Sequence, residues 1–198
     1  MVKCRVNAGF VYVTNYSYKF RELIQNLAER AEQAMPSKRL NKIGIFLFGS
    51  PSRQEMVDES DADIMIIREK DNEDYFLFRN EFIKLLEKEN FEKIDVPDWG
   101  NYSDCESYVK DSITEGNQVA ESKFIYGDYL TNEYIESLRN KYCTKERFEK
   151  VLCFQKLYFD QYYTQRTKPG IKNVKYGHGG TRDFMFLTWF VNLMDSSE

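Results

Sequence analysis

Two aspartates two positions apart, Asp61 and Asp63, are the residues of this sequence best suited to chemistry. They stand at the start of an apolar segment, residues 62–67, that has the composition of a β-strand. Because side chains alternate between the two faces of a strand, both carboxylates are expected on the same side. Two like charges this close repel each other, and a divalent cation beside them removes the repulsion. The pair therefore predicts a site for Mg²⁺ or Mn²⁺.

A glycine–serine turn precedes this pair. Gly49 and Ser50 follow residues 43–48, an apolar run that predicts a buried strand. Glycine lets the backbone come close to a phosphate, and Ser50 can donate its hydroxyl to one. Arg53 could meet a triphosphate oxygen or brace the loop through a carboxylate. A lone Asp-x-Asp is usually solvated surface and a lone Gly-Ser is usually a turn, but the two between apolar strands predict a phosphoryl-transfer site.

The elements that would position these residues alternate between helix and strand up to about residue 100. Apolar spacing predicts a first helix capped by Asn15 or Ser17 and ended near residue 36. After the Asp-x-Asp strand, a helix is expected to start at Asp71 or Asp74. Its predicted apolar side is Phe78, Phe82, Leu85 and Leu86. A short strand is predicted within residues 91–96, and residues 97–100 are expected to break the chain.

The later part of the chain is predicted to be helical. Ser103 and Glu106 form the pattern of a capping box. Helices are predicted over residues 104–126, 131–142 and 144–165, and a last one starts near Asp183. The layout is therefore an α/β domain over residues 1–102 followed by a helical lobe over residues 103–198.

Composition and charge exclude several classes of protein. The 198-residue chain has a formal net charge of -4, so the basic excess of nucleic-acid-binding proteins is missing and nucleic acid is not expected as a partner. The four cysteines match no zinc pattern and are expected to be free thiols in a reducing compartment. Neither a signal peptide nor an apolar stretch of membrane-spanning length is present. We therefore expect a cytoplasmic location and no membrane partner.

Residues 48–63 resemble the polymerase-β-type nucleotidyltransferase superfamily, whose signature is a Gly-Ser or Gly-Gly turn followed by a strand with Asp-x-Asp. They look most like the branch of the protein-PII uridylyltransferases and glutamine-synthetase adenylyltransferases, although Ser52 stands where a glycine is usual. Residues 121–128 and 173–183 resemble two later segments of that branch, with Lys123 in place of an arginine. The resemblance implies an α+β fold: a small mixed sheet with flanking helices, followed by a C-terminal helical bundle.

The resemblance also implies an activity. It is the metal-dependent transfer of a nucleoside monophosphate from an NTP to an acceptor hydroxyl, with release of pyrophosphate. A protein is one candidate source of that hydroxyl. Asp61 and Asp63 would hold Mg²⁺ or Mn²⁺. The superfamily's third carboxylate, which helps to deprotonate the acceptor, is expected to be Asp95, with Asp98 and Glu121 as alternatives. The residues expected to contact the NTP are Gly49, Ser50, Arg53, Lys175 and Arg182.

Several alternatives stay open at this point. A catalytically silent domain could keep the fold and act as a nucleotide sensor or an antitoxin-like interaction module. The intact Asp61 and Asp63 favour the enzyme, whereas the unassigned third acid keeps the rival open. His178, the only histidine, lies among glycines, where a lone histidine is more often incidental. Arg182 could also pair with a core carboxylate, and the chain could be one domain of a longer protein.

Overall fold

The computed structural model describes residues 3–36, 41–56, 60–89, 94–96 and 98–142, and further along residues 144, 146–147, 149–154, 157 and 191. The helices are α1 (Lys3–Gln33), α2 (Gly49–Arg53), α3 (Glu73–Leu86), α4 (Tyr102–Asp111), α5 (Ile113–Glu121) and α6 (Tyr129–Tyr142), with a 3₁₀ turn at Glu87–Glu89. The strands are β1 (Ile43–Leu47), β2 (Ala62–Arg68), β3 (Ile94–Asp95), β4 (Asp98–Asn101) and β5 (Lys123–Gly127). The predicted α+β class, a mixed sheet with flanking helices, is confirmed. Most of the predicted C-terminal bundle lies outside the described residues.

The sheet has the order β3-β2-β1-β5, and β4 also pairs with β2. β1 runs antiparallel to both β2 and β5, whereas β3 and β4 run parallel to β2. β3 and β4 follow each other along one edge of β2, since Ile94 is the partner of Ala62 and Asp98 the partner of Ile66. The expectation that residues 97–100 break the chain is therefore wrong for residues 98–100, which belong to β4, and residue 97 lies outside the described residues. Pairing resumes at Asp98 in the register of β3, and the register shifts between Ile66 and Arg68, the partner of Asn101.

One face of the sheet packs against α1 and α3. Alternate residues of β1 and β2 join apolar side chains of both helices in one buried cluster. The predicted apolar side of α3 is confirmed, because all four of its residues are buried. Full burial of one such aliphatic or aromatic side chain contributes roughly 1.5–3 kcal/mol. This face therefore supplies much of the stability that holds β1 and β2 in place.

The helix starts differ from the predicted ones. α1 begins at Lys3, so Asn15 and Ser17 lie inside the helix and not at its start. Ser17 is buried instead, and its hydroxyl accepts the N–H of Met56 at 3.1 Å. α3 is capped by Asn72, whose side chain accepts the N–H of Tyr75 at 2.7 Å. Neither Asp71 nor Asp74 is the cap, because Asn72 is the residue with extended backbone directly before the first helical turn.

The predicted helix over residues 104–126 is wrong in its last part. α4 and α5 end at Asp111 and Glu121, and Lys123–Gly127 forms strand β5 against β1. The aromatic and β-branched residues of this segment are compatible with a helix or a strand. The segment forms a strand because it pairs with the edge of β1 that β2 leaves open. β5 is thus a strand within residues 103–198, the range that the sequence predicted to be helical.

Two compact units make up the chain. The first contains Met1–Ser107 and Glu121–Glu136, and the second contains Tyr108–Ala120 and Ser137–Glu198. The first unit contains the sheet and the helices α1, α2 and α3. In the second, the Arg147 guanidinium donates to the backbone carbonyls of Val109 and Ser112, the latter at 2.9 Å. The boundary after residue 102 stays a prediction.

No helix in the described part of the chain combines the length and the apolar character needed to cross a membrane.

Candidate functional site

The turn after β1 lies directly against Asp63. The Phe48 N–H donates to the Asp63 carbonyl at 3.3 Å, which holds the end of β1 beside β2. Gly49 then takes a left-handed backbone, with φ +61°. A Cβ at this position would stand 2.3 Å from Asp63 Oδ2. Glycine suits this position, because any other side chain would displace the carboxylate and strain the backbone.

The two candidate metal ligands stand on either side of Ala62, the first residue of β2. Asp61 and Asp63 are half-buried, whereas Ala62 between them is fully buried. Ala62 and Ile64 belong to the cluster that packs against α1 and α3. Alternation along the strand therefore places Asp63 on the opposite face of the sheet, away from those helices.

The register of the sheet separates two of the candidates for a third carboxylate. In parallel pairing, Asp95 on β3 is the Cα partner of Asp63. Asp98 on β4 is the partner of Ile66, further along β2. Asp95 thus has the backbone position beside Asp63. The side chains of Asp95 and Asp98 lie outside the described residues.

Glu121, the other alternative, sits at the end of α5 and supports the turn. Its Oε1 accepts the Gly49 N–H at 3.1 Å, and its Oε2 accepts Arg53 Nη1 at 2.8 Å. The side chain of Glu121 is only 4% exposed. Both carboxylate oxygens already accept a hydrogen bond, so the geometry makes Glu121 a brace of the Gly49–Ser50 turn.

Arg53, expected at a phosphate or at a carboxylate, is held by carboxylates here. Besides Glu121, its Nε donates to Glu55 Oε2 at 2.8 Å. Burial alone would lower the pKa of Arg53, but the charges of Glu121 and Glu55 and the hydrogen bonds to them outweigh burial and raise it. The guanidinium therefore stays charged and bridges an exposed acid and a buried one.

Ser52, which stands where the resembling branch has a glycine, fits the turn without strain. It lies in the short helix α2, and its hydroxyl donates to the Gly49 carbonyl at 2.9 Å. The left-handed positions are at the ends of α2, at Gly49 and at Gln54. A glycine is therefore not required at residue 52. Ser50, the candidate hydroxyl donor, is half-buried in the same helix.

The donor set suits Mg²⁺ or Mn²⁺. Asp61 and Asp63 offer hard carboxylate oxygens, and Asp63 Oδ2 packs directly against the backbone of Gly49. Across the side chains that the structure describes, no group of three or more acids, histidines or cysteines is close enough together to hold a metal. Asp61 and Asp63 are thus the two candidate ligands among the described side chains, and Asp95 has the backbone position from which a third could come.

Three sequence candidates cannot be placed. Lys175, His178 and Arg182, with the whole segment 173–183, lie outside the described residues. By contrast, the bracing role of Glu121 was missed by sequence reasoning, which treated this residue only as a possible third acid. The separation of 72 residues from Gly49 left no local signal for that contact.

Comparison with known proteins gives one family. Residues 28–119 match the family model described as "Nucleotidyltransferase domain", of the polymerase-β-type superfamily. The matched range contains β1, the Gly49–Ser50 turn, β2, β3 and β4. No curated protein matches the chain. The resemblance to the uridylyltransferase and adenylyltransferase branch stays a prediction.

Proposed function

We propose that this protein is a metal-dependent nucleotidyltransferase that moves a nucleoside monophosphate from an NTP to an acceptor hydroxyl and releases pyrophosphate. The observation that carries the proposal is the packing of the Gly49 turn against the carboxylate of Asp63. A glycine without a side chain, a serine hydroxyl and a pair of carboxylates then share one end of β1 and β2. This is the combination needed to bind a triphosphate together with a cation.

Each residue has a defined task in this proposal. Asp61 and Asp63 would hold Mg²⁺ or Mn²⁺, which when bound would neutralise phosphate charge and lower the pKa of the acceptor hydroxyl. The hydroxyl of Ser50 donates a hydrogen bond to a phosphate oxygen. Asp95 takes the proton from the acceptor hydroxyl. The acceptor oxygen then bonds to the α-phosphorus, and the bond from that phosphorus to the bridging oxygen of the β-phosphate breaks, which releases pyrophosphate.

The acceptor is not defined by these residues. A protein hydroxyl, a nucleotide and a small molecule would each fit a general base at Asp95. Lys175 and Arg182 are proposed as further cationic contacts to the triphosphate, and a cytoplasmic location would supply the NTP. The rival hypothesis is a silent domain that senses nucleotides or binds another protein.

Label transfer tests the proposal. The wild-type chain is incubated with each α-³²P-labelled NTP, Mg²⁺ or Mn²⁺, and a cell lysate. We expect transfer of label that is abolished in D61N/D63N. The matched control is E87Q/E89Q, which removes two charges from the exposed 3₁₀ turn and should leave transfer unchanged. NTP binding without label transfer and without pyrophosphate release would contradict the enzyme and support the sensor.

A second pair of variants tests the third carboxylate. Asp95→Asn is expected to lower kcat by about 10²–10⁴-fold, the usual contribution of a general base, while NTP binding is retained. Asp98→Asn, beside Ile66 on the same edge of β2, should stay close to wild type. A larger loss in Asp98→Asn than in Asp95→Asn would show that the assignment is reversed.

A further inference from the structure

The carboxylate of Glu121, the last residue of α5, forms hydrogen bonds with both ends of α2. It lies 72 residues from Gly49 and 68 from Arg53 in sequence, yet it accepts a hydrogen bond from each. Gly49 is the first residue of α2 and Arg53 is the last. One buried side chain thus fixes the position of the whole short helix.

These contacts are strong for a physical reason. A buried ionised carboxylate is costly unless donors satisfy it, and here each oxygen of Glu121 has one. Hydrogen bonds to a charged acceptor are about twice as strong as those between neutral groups. If α2 tilted away from β2, the buried charge would lose its partners. The contact therefore holds Gly49 in place against Asp63.

We infer that Glu121 is a positioning residue of the nucleotide site. It sets the orientation of the Gly49–Ser50 turn relative to Asp63, and so determines where a triphosphate lies against the metal-binding carboxylates. This inference rests on the proposed function. Glu121 acts through the turn, and no contact between Glu121 and the NTP is needed.

Glu121→Gln is the sharpest test because it keeps the size of the side chain. The site presents two donors, the Gly49 N–H and Arg53 Nη1. A glutamine places its single oxygen at only one of these two positions and sets an N–H against the other donor. Because a neutral oxygen is also a weaker acceptor than a carboxylate, the hydrogen bond from the Gly49 N–H is weakened in either orientation of the amide. Glu133→Gln, on the exposed side of α6, is the matched control.

The contact itself can be followed by NMR without any activity. Phe48–Gly49 is the only Phe-Gly step in the sequence. Labelling with ¹³C′-phenylalanine and ¹⁵N-glycine therefore gives a single correlated signal, from the Gly49 amide. We expect this signal to move upfield and to exchange faster in Glu121→Gln, and to stay in place in Glu133→Gln. The remaining glycine amides report whether the fold is kept.

The functional effect is measured with the label-transfer assay. Because small misplacements of reacting groups are costly, we expect Glu121→Gln to lower kcat by at least about tenfold, with a smaller change in KM. An unmoved Gly49 signal, or a moved signal with kcat unchanged, would overturn the positioning role. A wild-type protein that transfers no label would refute the proposed function, whereas an active wild type with an equally active Glu121→Gln refutes only the role of Glu121.

Discussion

Gly49 is the first residue of the short helix α2 and Gln54 follows its last residue, and both have a backbone φ of +61°. The left-handed region costs roughly 1–2 kcal/mol for a residue with a Cβ and almost nothing for glycine. Gly49 also faces Asp63, whereas Gln54 is exposed. A side chain at residue 49 would therefore disturb Asp63 as well as strain the backbone, whereas the side chain of Gln54 only strains the backbone.

Gly49→Ala is expected to lower the free energy of unfolding by about 2–4 kcal/mol, since backbone strain adds to the overlap with Asp63 Oδ2. Urea denaturation measures the change, and label transfer should be lost as well. Gln54→Gly is the matched control at the other end of α2. It removes the strain without touching the site, so it should be neutral or stabilise the protein by up to about 1 kcal/mol. Equal destabilisation by both variants would contradict this account.

Cys105 is a buried thiol whose ionisation is coupled to folding. Burial, reinforced by the charges of Asp104 and Glu106, raises its pKa from 9.0 to about 12. Above pH 9 the unfolded chain loses this proton first, so a rise in pH favours the unfolded state. The stability that the neutral thiol supports is complete below the unfolded pKa and is lost between the two values.

We expect the wild type to lose stability with rising pH more steeply than Cys105→Ala does. Between about pH 8 and about pH 10.5, the difference in the change of unfolding free energy should be about 2 kcal/mol. Urea titrations at several pH values measure it. Cys153→Ala removes an exposed thiol and is the control. Parallel pH profiles for wild type and Cys105→Ala would contradict the coupling.

At the scale of elements, the start of α4 is set by a reciprocal pair of side chains. Asn101 Oδ1 accepts the N–H groups of Ser103 and Asp104, and Asp104 Oδ2 accepts the Asn101 N–H at 3.1 Å. This is a capping box, placed two residues before the predicted one at Ser103 and Glu106. The observed capping box differs from the predicted one because β4 ends at Asn101, directly before the first residue of α4.

Asn101→Ala is expected to lower the free energy of unfolding by about 1 kcal/mol, the usual effect of losing an N-cap. Ser103→Ala should change it by less than about 0.5 kcal/mol, because Ser103 is exposed and contributes to the cap only through its backbone N–H. Thermal or urea unfolding of the two variants separates the alternatives. A larger effect of Ser103→Ala would favour the cap expected from the sequence.

At the scale of the whole molecule, a bound ligand must stabilise the folded state if it binds only there. NTP with Mg²⁺ at about one hundred times its Kd would add about 2.7 kcal/mol. For a chain of this size, that corresponds to a rise in Tm of about 5–10 °C. Asp61 and Asp63 belong to the first compact unit, so the effect reports on the fold around the sheet.

We therefore expect Mg²⁺·NTP to raise Tm in a thermal-shift assay, and EDTA or the D61N/D63N substitution to abolish the rise. The E87Q/E89Q variant keeps the rise, because its charges lie on an exposed 3₁₀ turn and are not among the candidate site residues. The same rise in the presence of EDTA would argue against a metal-dependent site.

The sequence by itself determined the parts that depend on local spacing. Strands β1 and β2, the glycine turn between them, the buried side of α3 and the Asp61–Asp63 pair all follow from neighbours within a few residues. Alternation and helical periodicity are encoded at that distance.

Only the tertiary structure decided the rest. It turned residues 123–127 into a strand, put Asp95 in register beside Asp63, and brought Glu121 to the turn. Each depends on a partner tens of residues away, and side-chain periodicity along one segment carries no information about which distant edge or charge it will meet.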